Sequence, residues 1–412
     1  MIKKIVIIGN SAAGIGAVEG IRQIDKQCEI TVITNEPHHT YSRPLISYLL
    51  LGKATEESMK YRSNSFYTDN NVTLLTGTTV TKIEAEKKQV LLLYGKSIPY
   101  DKLLVAAGSS PFTPPFEGLD TVKDRTTFMS LDDARFLDRM LKKKPRAKAL
   151  IIGAGLIGLK CAEGIQKKVS KITVVDLAPR ILSSILDEEG AKVVQDHLEN
   201  KGIDFKLASS VKVFEKNSAI LESGEKIDFD VLVLAVGVRP NTSLLKDIAD
   251  IDRGIIVNGK SETSVNDIYA AGDCTQYTDV SSGQKKIMAL LPNAYMQGEC
   301  AGINMAYGDK SFEKAIPMNA IGFFGLHIIT AGNYSGDVYS KSEGNEYKKL
   351  FYSDNKLNGY IIIGNVEKAG IYTSLIRERT PLDSIDFALV CEKPGLMAFT
   401  KEERIIKLGG TK

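Results

Sequence analysis

Two stretches of this chain carry the residues needed to hold the phosphates of a dinucleotide. Gly9-Asn10-Ser11-Ala12-Ala13-Gly14 and Gly153-Ala154-Gly155-Leu156-Ile157-Gly158 each follow a short β-branched apolar run and open a helical pattern. In such a turn the first glycine permits a tight bend and the last lets a helix pack closely on its strand. The helix N-terminus then presents free N–H groups to phosphate oxygens. Ser11 replaces the usual middle glycine of the first turn and is small enough to let the backbone approach a pyrophosphate; the second turn is a complete Gly-x-Gly-x-x-Gly. An acidic residue closes the next apolar run in each case: Glu36, 22 residues beyond Gly14, and Asp176, 23 beyond Gly153. A carboxylate there accepts from ribose hydroxyls. At Asp176 it would also repel a 2′-phosphate, which favours NADH over NADPH. Arg180, four residues on, either reaches a phosphate or is a solvated, helix-associated arginine. One cradle holds one dinucleotide, so two cradles in one chain imply a hydride moved between them.

The elements that must position these groups are legible around them. Lys3–Ile8 reads as a strand, residues 12–23 as a helix and Ile30–Thr34 as a second strand; Ala149–Ile152, a helix to about Lys168 and Lys171–Val175 repeat the pattern. A lone degenerate turn is compatible with a tight loop that binds nothing. Two later segments point to a ligand. Leu103-Leu104-Val105-Ala106-Ala107-Gly108 is a buried strand ending in small residues that a cofactor can approach. Residues 264–273 form a strand closing on Gly272-Asp273, just before a helical segment, Asn293–Tyr307. A carboxylate at such a strand end can hold a polyol hydroxyl while the backbone N–H groups that follow meet phosphate or a ring edge.

Composition narrows the alternatives. A chain of 412 residues is long enough for two or three domains. Its 43% hydrophobic and 25% charged residues are those of an ordinary globular protein, and a net charge of +3 offers no field for nucleic acid or a membrane surface. The opening residues Met1 to Gly9 read as a first strand rather than a signal peptide, because the apolar run stops in the glycine turn. No apolar segment approaches the ~20 residues of a membrane span. Cys28, Cys161, Cys274, Cys300 and Cys391 show no paired spacing, which argues against a disulfide framework, zinc or an iron–sulfur cluster and fits a reducing cytoplasm. His38 and His39 lack partners at ligand spacing, so no metal site is expected. The run Lys142 to Arg146 beside Pro145 reads as a solvated loop.

In order and spacing these segments resemble the two-dinucleotide flavoproteins of the glutathione-reductase-like superfamily, over roughly residues 1–315. The resemblance implies an α/β fold with two Rossmann-like dinucleotide-binding domains, the second inserted in the first, and a C-terminal α+β interface domain. It implies FAD on the first cradle, contacted by Gly9, Ser11, Ala12, Ala13, Gly14, Glu36, Ala107, Gly108, Gly272 and Asp273, with the backbone of Val80 meeting the adenine. NAD is implied on the second cradle, at Gly153, Gly155, Leu156, Ile157, Gly158, Asp176 and Gly237. Relatives commonly carry a glutamate near the nicotinamide where this chain has Lys160. Either that contact is lost here or Lys160 points to solvent.

The segment after Glu36, His38-His39-Thr40-Tyr41-Ser42-Arg43-Pro44-Leu45-Ile46-Ser47, holds no sulfur. Superfamily members that reduce disulfides or peroxide use a thiolate nucleophile, and neither Ser42 nor Ser47 replaces one. Cys274, directly after Asp273, reads as a small packed residue. Tyr-Ser-Arg-Pro-Leu-Ile-Ser is similar to the same segment in NADH:rubredoxin reductases and nitrite reductase flavin domains, where electrons leave the flavin singly toward a metal centre. There Arg43 and Lys53 match basic residues near the flavin. The resemblance thus implies an oxidoreductase passing electrons from NADH through FAD to a small redox protein, rubredoxin or a ferredoxin-like iron–sulfur protein. No side chain is needed as acid or base. The alternatives are an NADH oxidase using oxygen directly and an electron-transfer subunit of a larger metalloenzyme.

Prolines 111, 114 and 115 mark the outward crossing between domains, and Pro240 lies near the return. Expected limits are 1–112 and 245–316 for the FAD domain, 113–244 for the NAD domain and 317–412 for the C-terminal domain. In the last, Phe323–Gly332, Tyr347–Ser353 and Leu357–Gly364 read as antiparallel strands, followed by helices at Ala369–Arg379 and Leu382–Val390 and a mobile tail after Cys391. Such a domain dimerises relatives or covers the flavin's open face.

Overall fold

Strands that are apolar along their whole length are covered on both faces; in the first unit two packed helices cover one face, and the antiparallel strands over residues 80–99 with later strands cover the other. In the computed structural model, which describes residues 3–407, Lys4–Ile8 is buried from Ile5 to Ile8 and lies at the centre of a parallel sheet. Glu29–Ile33 and Val72–Leu75 follow on one side; Lys102–Val105 and Ile268–Ala270 follow on the other. Ile8 pairs with both Ile33 and Val105, so three strands end together beside the first glycine turn. The helix from that turn, Ala12–Ile24, packs backbone to backbone on the later helix Leu291–Met305. A Cβ on Gly298 would stand 1.9 Å from the Ala13 carbonyl oxygen. Small residues on both helices permit that approach.

The second unit repeats the plan. Ala147–Ile152 is central, flanked by Val169–Val175 and Ile203–Lys206 on one side and by Val231–Leu234 and Arg125–Thr127 on the other. Each unit also inserts a three-stranded antiparallel meander before its inner return strand, at residues 80–99 and 211–228. Between the units, Ser109–Pro111 and Val238–Pro240 pair antiparallel, so the outward and return crossings form one two-stranded joint.

The third unit is a five-stranded antiparallel sheet over residues 318–363, backed by the helix Ala369–Glu378. Its first element differs from expectation. Residues 323–332 are not one strand: Met318–Phe323 and Leu326–Gly332 form a hairpin, and Phe324 and Gly325 take positive φ at its tip. A strand at Asp337–Glu343 was also unforeseen; its mostly exposed, polar residues carry no alternating apolar signal. The helix expected at 382–390 is a single 3₁₀ turn followed by Phe387–Glu392. Beyond Cys391 the chain forms a 3₁₀ turn, Leu396–Ala398, and a helix, Lys401–Lys407. Residues 408–412 of the expected mobile tail, and Met1 and Ile2 of the opening segment, lie outside the described residues.

Candidate functional site

The two turns superpose in their internal logic. Gly9 N–H donates to Ile33 and Gly153 N–H to Val175, both at 2.8 Å. A Cβ on Gly9 would lie 2.1 Å from the Ala106 carbonyl oxygen, and one on Gly153 2.2 Å from that of Ala235. At Gly14 and Gly158 a Cβ would strike the carbonyl oxygen of the turn's own first glycine, at 2.1 and 1.9 Å. Both glycine roles inferred from spacing are therefore steric facts. Ser11 and Gly155 are the N-caps of their helices, and neither contributes a side-chain cap, so the first N–H groups stay open to an anion.

At the first turn lies a cavity of about 550 Å³. Gly9, Ser11, Ala12, Ala13, Glu36, Arg43, Val80, Ala107, Gly108, Gly272 and Asp273 all line it. Gly14 lies beneath, where it supports the turn. The Glu36 carboxylate is held on both oxygens: Oε2 accepts from the Tyr41 hydroxyl at 2.7 Å, and Oε1 pairs with Arg43. Arg43 also donates to the Met129 carbonyl at 3.2 Å. Burial works against the Arg43 charge, but Tyr41, Glu36 and Asp273 around it raise its pKa above the ordinary value. Burial pushes the Asp273 carboxyl up, opposed by the Arg43 guanidinium. The cavity thus places a cation between two carboxylates, beside a row of open N–H groups.

Lys53 does not join this group. The short helix Ile46–Leu50 ends at Leu51, Gly52 turns the chain at positive φ, and the Lys53 side chain is exposed outside the cavity.

Other residues escaped the sequence reading. Gln297, buried, accepts from the Gly272 N–H at 2.7 Å and fixes the Gly272-Asp273 bend. Asn241 donates to the Ala107 carbonyl at 2.8 Å and bonds Ser110, so the return crossing props the cavity wall. Tyr67 donates to Asn10 at 2.7 Å within the first turn. Asn10 stands in the first glycine turn itself, and Asn241 directly after Pro240 of the return crossing. Amides such as Gln297 and Asn241 carry no periodicity that marks them.

At the second turn, Asp176 accepts from the Ala154 N–H at 2.6 Å and the Ala178 N–H at 2.7 Å, one on each oxygen. Each oxygen keeps a further lone pair for a ribose hydroxyl. Leu156 and Ile157 form the first helical turn after the Gly155 cap. Gly155 and Gly237 border open space; apart from the adjoining chain, no protein atom lies within 4 Å of a Cβ built on either. Arg180 donates to the Leu186 carbonyl at 3.3 Å, in the turn that precedes the helix Glu188–Glu199. Lys160 is not solvent-pointing: its ammonium pairs with Glu163 and donates to the Gly322 carbonyl at 3.1 Å.

The five cysteines are all buried and unpaired, and none lines the cavity. Cys274 follows Asp273 directly, but its thiol faces the Val105 and Ala271 carbonyls and burial pushes it up to about 12. A thiol of that pKa holds almost no thiolate at neutral pH. His38 bonds Asp132 at 2.9 Å. No helix among the described residues is long and apolar enough to cross a membrane.

The dinucleotide cradles fit a family model described as pyridine nucleotide-disulphide oxidoreductase over residues 3–298, and residues 317–380 fit one described as the rubredoxin NAD+ reductase C-terminal domain. The chain is 30% identical over 393 residues to the NADH-dependent phenylglyoxylate dehydrogenase subunit epsilon of Aromatoleum evansii, covering 92% of each. It is 30% identical over 368 residues to the NADH-rubredoxin oxidoreductase of Clostridium acetobutylicum, covering 88% of this chain and 91% of that one. Putidaredoxin reductase, solved in covalent complex with putidaredoxin, matches with a TM-score of 0.88 over 98% of each chain; at 22% identity this shows a shared fold. With two steric copies of one phosphate cradle and these matches, the chain belongs to the pyridine nucleotide-disulphide oxidoreductase family and is an NAD(P)H-dependent flavin oxidoreductase.

Proposed function

We propose that the chain carries electrons from NADH through FAD to a small redox protein, a rubredoxin or a ferredoxin-like iron–sulfur protein. The observation that carries this reading is a complete pair of cradles with no thiol in the cavity of the first. When bound, FAD supplies the redox chemistry, accepting the hydride of NADH and releasing its electrons to the acceptor. The chain's own residues bind and orient. Gly9, Ser11, Ala12 and Ala13 offer backbone to the pyrophosphate, with Gly14 setting the helix angle. Glu36 takes the ribose, and Arg43, between Glu36 and Asp273, places a cation near the flavin that would stabilise its reduced, anionic form. Val80 lies at the adenine end, Ala107 and Gly108 form the wall, and Asp273, on the bend that Gln297 fixes through the Gly272 N–H, holds the polyol.

On the second cradle, Gly153, Gly155, Leu156, Ile157 and Gly158 hold the NADH pyrophosphate, Asp176 the ribose and Gly237 the nicotinamide side. The Asp176 carboxylate favours NADH over NADPH by repelling a 2′-phosphate. The domain limits follow the two crossings: 1–112 and 245–316 for FAD, 113–244 for NAD, and 317–412 for the C-terminal domain. A cytoplasmic location is supported by the five unpaired thiols. A homodimer through the C-terminal domain belongs to the same reading.

A second reading has specific support: the Aromatoleum evansii relative, matched over 92% of its length, is named as a subunit. The test is anaerobic stopped-flow reduction by NADH, followed by separate mixing with oxygen, rubredoxin and ferredoxin. Fast reoxidation by an iron–sulfur acceptor supports the proposal. Fast oxygen consumption makes the chain an oxidase, and slow reoxidation by every soluble acceptor makes it a subunit.

A further inference from the structure

The tip of the hairpin Met318–Phe323/Leu326–Gly332 is gripped by side chains of the second unit. Gly322 C=O accepts from Lys160 at 3.1 Å, Phe323 C=O lies 3.1 Å from His197 Nε2, and Phe324 N–H donates to Glu163 Oε1 at 2.7 Å. Three consecutive residues thus each give a backbone polar group to a side chain of another domain. The Phe323 ring is fully buried in one core with Leu159, Ile165, Val194 and Leu198. Lys160 and Glu163 lie on Leu156–Ile165, the helix that starts at the second cradle, and pair with side-chain exposures of 17% and 8%. The Lys160 ammonium also sits 4.6 Å from the Tyr48 ring, on the short helix Ile46–Leu50 of the first unit. Nearby, a Cβ on Gly164 would lie 3.1 Å from the Ser47 carbonyl oxygen.

A buried ion pair contributes little net stability, since desolvation consumes its Coulomb gain, but losing one partner strands a charge. What such a pair can supply is a unique arrangement. Here the donor and acceptor order matters: the hairpin offers a carbonyl where Lys160 stands and an N–H where Glu163 stands. A carboxylate at position 160 would face two acceptors, the Gly322 carbonyl and Glu163.

We propose that Lys160, Glu163 and His197 form a socket for the hairpin tip. Through it the third unit holds the helix of the second cradle in place against the first unit, and Lys160 is a positioning residue for transfer from nicotinamide to flavin. The proposal rests on the reading of the cradles as FAD and NADH sites.

The experiment compares Lys160→Met, Lys160→Arg and the exchanged pair K160E/E163K as FAD-loaded holoenzymes. It reads the limiting rate and half-saturation of flavin reduction by NADH, the reduction by dithionite, and amide hydrogen exchange over residues 318–332. A displacement of about an ångström at a reacting pair costs on the order of 100-fold in rate. Lys160→Met is expected to slow the limiting rate by roughly 10–100-fold and to speed exchange at Phe324, with FAD content and dithionite reduction unchanged. Lys160→Arg, still a donor, is expected to recover most of the rate. The exchanged pair keeps the ion pair but reverses the donor order, and is expected to behave as Lys160→Met does. A wild-type rate in Lys160→Met, or in the exchanged pair, overturns the proposal. If Lys160→Met does not fold, the Arg variant and the exchanged pair decide it alone. A wild-type protein that NADH does not reduce refutes the functional reading instead, and hairpin exchange then still reports whether the socket exists.

Discussion

The Tyr41 hydroxyl donates to Glu36 at 2.7 Å and accepts from the Leu131 N–H at 3.0 Å. Leu131 is the first residue of the helix Leu131–Lys143, whose start is fixed by reciprocal bonds between Ser130 and Asp133. The Glu36 carboxylate of the first cradle is thereby tied through one phenol to a helix N-terminus of the second unit. Burial raises the Tyr41 pKa well above the ordinary phenol value, so it remains a donor at every working pH. Arg43 makes a parallel tie, from Glu36 to the Met129 carbonyl.

Tyr41→Phe removes one charge-assisted bond to Glu36 and strands the Leu131 N–H. Bonds of this kind contribute ~1.5–3 kcal/mol, so FAD affinity of the apoprotein is expected to fall about 10–100-fold. Fluorescence titration of the apoprotein with FAD checks this. An unchanged dissociation constant would show that Glu36 holds its place without Tyr41.

How much of this was legible beforehand follows from the chemistry of each part. The cradles were readable because steric demands leave so few residue choices: Gly9, Gly14, Gly153 and Gly158 each face a carbonyl oxygen where a Cβ would stand. Glu36 and Asp176 were readable because a βαβ unit fixes their distance from the turn. Lys53 was harder to place, because charge in a motif says nothing of where a turn such as Gly52 sends the side chain. The hairpin at Phe324 was hidden because its tip uses an unusual residue at positive φ, stabilised by Glu163 from another domain rather than by local turn chemistry. Gln297 and the Asn241 prop were invisible for the same reason, since their partners are distant in sequence.

Asp176 is set by two backbone N–H groups before any ligand arrives. Asp176→Asn turns part of an acceptor surface into a donor and removes the charge that repels a 2′-phosphate. The half-saturation for NADH is expected to rise about 10–100-fold, the equivalent of ~1.5–3 kcal/mol, while that for NADPH falls. Steady-state rates with both nucleotides test this, and an unaltered preference would remove Asp176 from nucleotide selection.

Two glycines of the second turn separate binding from folding. Gly155 has ordinary extended backbone and open space where a Cβ would go. Gly155→Val is therefore expected to fold, keep its FAD and melt at the wild-type temperature, yet to lose tenfold or more in NADH affinity, about 1.4 kcal/mol. Gly158→Ala places its Cβ 1.9 Å from the Gly153 carbonyl oxygen and is expected to destabilise the domain by ~1–3 kcal/mol through overpacking. Melting curves beside NADH titrations distinguish the two. A Gly155→Val protein that binds NADH normally would mean the pyrophosphate does not lie over this turn.

Asp187 links the second unit to the third, and its charge makes that link sensitive to acid. It caps the helix Glu188–Glu199 by accepting from Gly190 at 3.0 Å, and it accepts from Tyr347 at 2.6 Å and Lys349 at 2.8 Å across the domain boundary. Burial pushes its carboxyl up, but these three donors and the Lys349 charge outweigh it and hold the pKa below the ordinary value. A carboxylate depressed in the folded state contributes its full stabilisation above the unfolded pKa of about 3.9. That contribution is lost as pH falls through the lower folded value. Wild-type melting is therefore expected to decline below about pH 4 with a component that Asp187→Asn lacks. At neutral pH the variant is expected to be less stable by ~1–3 kcal/mol. Melting temperatures from pH 3 to 7 for both proteins measure the difference directly. It must shrink toward acid, and two parallel curves would show that Asp187 carries no proton-linked share of the domain contact.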